Sequence, residues 1–232
     1  MKIAIMGAMP EEIAPILKKL QDYTSVTYAG NTYYEASYKG IDLVIAYSKI
    51  GKVFSTLTAA TMIEHFGAKK LLFSGVAGAV SPELKVGDLV VASKLAQHDL
   101  DITAFGHPFG YVPGGSVYVE ADKKLIALAK TVAQEMGHPL KEGIIATGDQ
   151  FVANEERKNF IGDTFGADAL EMEGGSVAVV CDALQIPFFI LRAISDAADM
   201  DASFSFDAFL ETSAQISAEF VMKMIDKIIE QE

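Results

Sequence analysis

From Phe188 to Ile194 the chain is an almost unbroken apolar run, entered through Pro187 and left through Ser195-Asp196. A strand with no polar side has to be covered on both faces, and in small proteins that cover comes from helices laid over a largely parallel sheet. Shorter runs repeat the pattern. Lys2-Ile3-Ala4-Ile5-Met6-Gly7 reads as an apolar strand ending at a glycine, Lys70 to Ser74 as a second buried strand, and Lys141 to Thr147 as a third. Tyr33 to Tyr38 and Ile41 to Tyr47 alternate around Lys39-Gly40, which predicts a hairpin. Helices are predicted over Lys52 to Phe66, Asp122 to Met136, Asn154 to Phe160 with Asn154 as cap, and from Asp207 almost to the end, where Ile216, Phe220, Met224 and Ile228 form one apolar stripe. The chain has 232 residues, half of them hydrophobic, enough for one sizeable core; with no repeat or linker, one α/β domain over 1–232 is expected.

Two strand ends carry acids. Ala167, Ala169 and Leu170 lead into Glu171-Met172-Glu173-Gly174-Gly175, and a small-residue helical run follows from Ser176 to Leu184. About one βα unit later, Arg192-Ala193-Ile194-Ser195-Asp196 closes the long apolar strand. Ligands of open α/β sheets bind at the carboxyl ends of strands, where a carboxylate can take hydrogen bonds from sugar hydroxyls and a Met can cover an apolar sugar face. The same acids also suit the start of a helix, which the helix dipole favours. Glu12 has both readings too. It sits in a first helical turn opened by Pro10, and it is also a candidate general base at a strand's carboxyl end. Gly75-Val76-Ala77-Gly78-Ala79 reads as a glycine-rich turn through which backbone approaches a ligand, and its lack of Lys or Arg points to a neutral ligand rather than phosphate. Phe151 is either a core aromatic or a flat platform for a ring.

Composition removes several classes. The net charge is −12 and no basic patch is visible, which argues against nucleic acid. The single cysteine, Cys181, lies in a helical run and reads as a small core residue, with no disulfide or zinc pattern. His98-Asp99-Leu100-Asp101 has metal-ligand spacing but no further His or Cys nearby, so neither a metal nor a cofactor is expected. The first residues lack a signal peptide, and no uncharged apolar run reaches the ~20 residues of a membrane span, so a cytoplasmic protein is expected. Thr103 to Ser116 is a long loop rich in Gly, Pro and aromatic residues, of the kind that is usually functional or an interface.

Several segments in order carry a resemblance. They are Gly7-Ala8-Met9 with Glu12, Ser48-Lys49-Ile50-Gly51-Lys52-Val53, Gly75-Val76-Ala77-Gly78, Leu84-Lys85-Val86-Gly87-Asp88, Thr103-Ala104-Phe105-Gly106, Gly148-Asp149-Gln150-Phe151-Val152, Glu171-Met172-Glu173, Arg192-Ala193-Ile194-Ser195-Asp196 and Ser205-Phe206-Asp207. Over nearly its full length the chain resembles the 5′-methylthioadenosine/S-adenosylhomocysteine nucleosidases of the purine nucleoside phosphorylase superfamily. Its Gly-Val-Ala-Gly, Tyr-Ser-Lys-Ile-Gly-Lys and Gly-Asp-Gln-Phe-Val segments look most like the branch that also hydrolyses 6-amino-6-deoxyfutalosine in a menaquinone pathway. Departures are Val76 for a serine, Pro10 for an acid and Ser74 for Asn or Thr.

The resemblance implies a single-domain, three-layer α/β/α fold with a central mixed, partly barrel-like sheet, working as a homodimer. It implies that Glu12 activates the attacking water and Asp196 protonates the leaving adenine. Glu173 would bind the ribose hydroxyls, with Met9 and Met172 against the sugar. Phe151 would stack on adenine and the backbone of Val152 would read its edge. Val76, Ala77 and Gly78 would line the floor, and Ile50 and Phe206 would wall the 5′ substituent. Glu171, Arg192 and Ser195 complete the binding set, with Arg192 orienting a carboxylate. Phe105, His107 and Pro113 would reach into the partner's pocket. For this chemistry Asp196 must hold a proton near neutral pH, which burial favours, while Glu12 must be ionised. A phosphate-dependent phosphorylase and a non-catalytic nucleoside-binding protein are the alternatives.

Overall fold

The long apolar run forms β10 (Phe188–Asp196), and every residue of it is buried. The structure is a computed structural model that describes residues 1–198 and 202–231, apart from the side chains of Phe204 and Ser205, so the side chain of Ser205 in the Ser205-Phe206-Asp207 segment lies outside what is described. The strands are β1 (Lys2–Gly7), β2 (Thr24–Tyr28), β3 (Asn31–Tyr38), β4 (Ile41–Tyr47), β5 (Lys70–Ala79), β6 (Leu89–Gln97), β7 (Tyr118–Glu120), β8 (Leu140–Thr147), β9 (Ala169–Glu171) and β10. The helices are α1 (Pro10–Leu20), α2 (Lys52–Glu64), α3 (Lys123–Met136), α4 (Glu155–Phe165), α5 (Gly174–Ala183) and α6 (Ala202–Glu230).

The strands join one sheet in the order β10-β6-β8-β9-β5-β1-β4-β3-β2, and a further pairing of β10 with β5 closes the first five into a ring. The sheet is mixed. β1 runs parallel to both β4 and β5, whereas β10 pairs with β5 in parallel and with β6 antiparallel. The result is a barrel-like half with an open wing, β1-β4-β3-β2. One helical layer has α6 over β5 and β10, α1 over β1 and β4, and α3 mainly over β6; the other pairs α2 with α5. The predicted stripe of α6 faces inward: Phe220, Met224 and Ile228 are buried, and Phe220 stacks on Phe189 of β10 at 6.3 Å. The hairpin turn has positive φ at both Lys39 and Gly40, the geometry that lets two twisted strands meet over a two-residue loop.

Four sequence readings change, the first being the helix read to Phe160, which continues to Phe165. The glycine-rich turn at residues 75–79 is the end of the continuous strand β5, not a turn. The last helix begins at Ala202 rather than Asp207, so Phe206 is a helical residue. β2 and β7 had no reading at all; β2 is mostly exposed on both faces and carries no alternation to detect.

Candidate active site

Glu12 is the third residue of α1, and its carboxyl turns back over the helix start. Its Oε2 accepts the amides of Ala8 (2.5 Å) and Met9 (3.0 Å). Its Oε1 crosses to β5 and accepts the Val76 amide (3.0 Å). The helix-capping reading and the strand-end reading are therefore both true of one side chain. Because the β5 contact uses the main chain of Val76, a valine there leaves the carboxyl anchored. Gly75 makes the approach possible, since a Cβ at that position would lie 2.5 Å from Glu12 Oε1. Burial pushes the Glu12 carboxyl above the usual carboxylate range, against the pull of the Arg192 charge and the three amides.

Asp196 stands at the end of β10, where the pairing with β5 slips: Ile194 lies opposite Ala77, but Asp196, not Ser195, lies opposite Gly78. Such a bulge re-aims a side chain. The buried carboxyl accepts the Ser195 hydroxyl (2.9 Å) and the Ala198 amide (2.8 Å). A Cβ on Gly78 would lie 2.7 Å from Asp196 Oδ1. The two glycines thus make room on a single strand for two carboxyls. Their positions are three residues apart, a span of roughly 10 Å at the rise of a strand.

The third acid group is divided. Glu171 is enclosed by donors: the amides of Glu173 (3.2 Å) and Gly174 (2.7 Å), the Thr147 hydroxyl, and Arg192 Nη2 (2.6 Å). Arg192 is itself 1% exposed and lies over the Phe73 ring, 4.1 Å from its centroid. It sits behind Glu171 and not on the cavity wall, the placement of a group that orients a carboxylate. Glu173 accepts the Gly51 amide (2.8 Å), and burial together with the Glu171 charge pushes its carboxyl up to about 8.

One cavity collects most of these residues. Met9, Glu12, Ile50, Val76, Ala77, Gly78, Phe151, Val152, Glu171, Met172, Glu173, Ser195, Asp196 and Phe206 line it. Phe151 and Phe206 meet edge to face across its mouth, ring centres 5.7 Å apart. Ala8, Gln150 and Leu170 also line it, and sequence reasoning missed them although each lies inside or beside a quoted motif. No Lys or Arg is among the lining residues described. Phe105, His107 and Pro113 do not line the cavity of their own chain; Phe105 is 81% exposed. The metal-like spacing is split among separate jobs. His98 is buried, takes an Arg157 hydrogen on Nδ1 (3.1 Å), and is pushed down to about 4 by burial and that guanidinium. Asp99 pairs with Lys52, and Asp101 accepts from Thr103. Among the described residues no group of three or more His, Cys, Asp or Glu is placed to hold a metal ion, and no helix is long and apolar enough to cross a membrane.

The family model described as phosphorylase superfamily matches residues 2–230. The chain belongs to that superfamily. It is 60% identical to the aminodeoxyfutalosine nucleosidase of Campylobacter jejuni, over 98% of this chain and 100% of the relative. The solved 5′-methylthioadenosine/S-adenosylhomocysteine nucleosidase of Campylobacter jejuni superposes with a TM-score of 0.94 at 61% identity, covering 98% of this chain and 99% of that one. The Helicobacter pylori nucleosidase of the same description, solved with butyl-thio-DADMe-Immucillin-A, superposes at 0.96 with 50% identity, covering 97% and 98%. Among phosphorylase-superfamily proteins this chain is an N-glycosyl hydrolase acting on nucleosides, and its fold is the nucleoside phosphorylase-like one that the barrel-and-wing sheet displays.

Proposed function

We propose that the enzyme cleaves the N-ribosidic bond of 5′-substituted adenosines: 5′-methylthioadenosine, S-adenosylhomocysteine, 5′-deoxyadenosine and 6-amino-6-deoxyfutalosine. It releases adenine, or the equivalent base, and the 5′-substituted ribose. The observation that carries the reading is that Glu12 and Asp196 reach one cavity from different strand ends. Relatives named for three of these substrates support it.

In this reading a water held by Glu12 attacks the anomeric carbon while Asp196 gives its proton to the leaving purine. A carboxylate lifted above its usual range is a stronger base than a free one, and the elevation of Glu12 serves that role. Glu173 takes the ribose hydroxyls, and Met9 and Met172 pack on the sugar. Phe151 stacks on the base, whose edge is read by the main chain of Val152, and Val76, Ala77, Gly78 and Ser195 form the floor. Ile50 and Phe206 wall the 5′ group. Arg192 acts through Glu171, which holds the turn into α5 on which Glu173 stands. Ile50 is 54% and Phe151 49% exposed, an apolar rim left open in one chain. A homodimer in the cytoplasm in which the partner's Phe105, His107 and Pro113 close that rim completes the proposal.

The absence of Lys and Arg among the described lining residues favours water over phosphate as the acceptor. Adenine release from 5′-methylthioadenosine in phosphate-free buffer tests this. Release at full rate is expected. Strict dependence on added phosphate would make the enzyme a phosphorylase, and intact nucleoside recovered from a stoichiometric complex would make it a binding protein.

A further inference from the structure

Three loops meet at the rim of the cavity. Residues 48–51, after β4, carry Ile50; residues 148–152, after β8, carry Phe151 and Val152; the turn after β6 carries Asp99. Asp99 holds the other two. Its Oδ1 accepts Lys52 Nζ at 2.7 Å, and its Oδ2 accepts the Asp149 amide at 2.8 Å. Asp149 Oδ1 in turn accepts the Lys52 amide at 2.8 Å, which closes a ring of three residues. Gln97 adds a second acceptor to Lys52 Nζ at 3.2 Å. One residue before the ring, the Gly51 amide is bound to Glu173 at 2.8 Å. Gly51 has φ 99°, and a Cβ there would lie 3.0 Å from Asp149 Oδ1, so this close passage of two loops needs a glycine.

The ring is well placed to be stiff. The Lys52 and Asp99 side chains are 19% and 17% exposed, so solvent screens the pair less than it does a surface ion pair. Burial by itself would raise Asp99, but the Lys52 ammonium and the Asp149 amide outweigh it and hold the carboxyl below its ordinary range. Neither Lys52 nor Asp99 lines the cavity, so whatever they do for a ligand they do through Ile50, Phe151 and Val152.

We infer that Asp99 and Lys52 are positioning residues, a clasp that couples the wall facing the 5′ group to the platform facing the base. The inference rests on the nucleosidase reading of the cavity. Its consequence is that a change on the loop of the 5′ wall alters binding of a ligand that touches only the base end.

The test uses the full chain and adenine alone as the probe. Adenine Kd is measured by calorimetry, and kcat and KM for 5′-methylthioadenosine are measured alongside, in wild type, Lys52→Met, Asp99→Asn and the double variant. Each single variant is expected to weaken adenine about tenfold and raise KM by a similar factor while kcat moves less than threefold. The double variant is expected to be no worse than the poorer single one, because either change opens the ring. Lys39→Met, which removes an exposed pair with Asp226, is the control and should leave Kd and KM unchanged. A folded Lys52→Met or Asp99→Asn protein that binds adenine within twofold of wild type overturns the inference, as does a double variant whose losses multiply, or a control that weakens adenine equally. A wild-type protein that binds adenine yet cleaves no nucleoside would instead overturn the functional reading, and the adenine series would still report on the clasp.

Discussion

Gly75→Ala isolates the placement of Glu12 without touching a carboxyl. The added Cβ would lie 2.5 Å from Glu12 Oε1 and 3.0 Å from its Cδ, against 3.4 Å for ordinary contact. The carboxyl must therefore retreat by about 0.9 Å, if the strand holds, on the hard-sphere limits of close-packed interiors. An Oε1 pushed that far from the strand no longer reaches the Val76 amide, its bond to which starts at 3.0 Å. A displacement of this size is expected to lower kcat about a hundredfold. Stability should move by no more than about 2.5 kcal/mol. Weakening a buried acceptor costs about 1–3 kcal/mol, and replacing glycine by alanine inside a strand returns roughly 0.5–1 kcal/mol. Steady-state adenine release and urea unfolding on the same preparation separate the two effects. Wild-type kcat in the folded variant, or a variant structure with the Glu12 carboxyl unmoved, would refute the reasoning.

Two buried groups give pH signatures of opposite sign. Glu173 is raised from 4.5 to about 8, so the folded protein keeps a proton that the unfolded chain loses, and its contribution to stability is present below pH 4.5 and lost as pH rises towards 8. Unfolding titrations should show Glu173→Gln gaining on wild type across that window; parallel curves would contradict it. His98 is lowered from 6.5 to about 4, so its neutral form contributes stability above pH 6.5 that is lost as pH falls towards 4, and His98→Gln should flatten that acid limb in the same assay. Arg192→Leu leaves Glu171 buried without its ion pair and is expected to cost about 3–5 kcal/mol in urea unfolding, with a loss under 1 kcal/mol counting against the pairing.

Much of this site was visible in the sequence because strand ends announce themselves. Glu12, Glu171, Glu173 and Asp196 each follow an apolar run, and the topology brings those ends together at one edge of the barrel. What hid was geometry that leaves no local mark. Gly75 and Gly78 looked like turn residues, yet they are strand residues whose missing side chains admit the carboxyls of Glu12 and Asp196; glycine inside a strand often marks such a close approach. The slip of register at Ser195 has no signature in Ile194-Ser195-Asp196, although it sets the aim of Asp196. Residue type and spacing alone did not separate Glu171 from Glu173, and only the resemblance singled out Glu173; the position of Arg192 behind Glu171 shows that this acid is tied up in structure, while Glu173 takes one amide, that of Gly51. Asp99 drew notice for the wrong reason, since its neighbours His98 and Asp101 turn to different partners and leave it the task of joining two loops.

The most direct measurement is single-turnover adenine release from 5′-methylthioadenosine by wild type, Glu12→Gln and Asp196→Asn, with nucleoside binding measured for each. The account predicts that both variants still bind and that each loses at least a hundredfold in the chemical step. Either variant turning over at the wild-type rate would contradict the claim that two carboxyls lining one cavity divide the work of breaking a single bond.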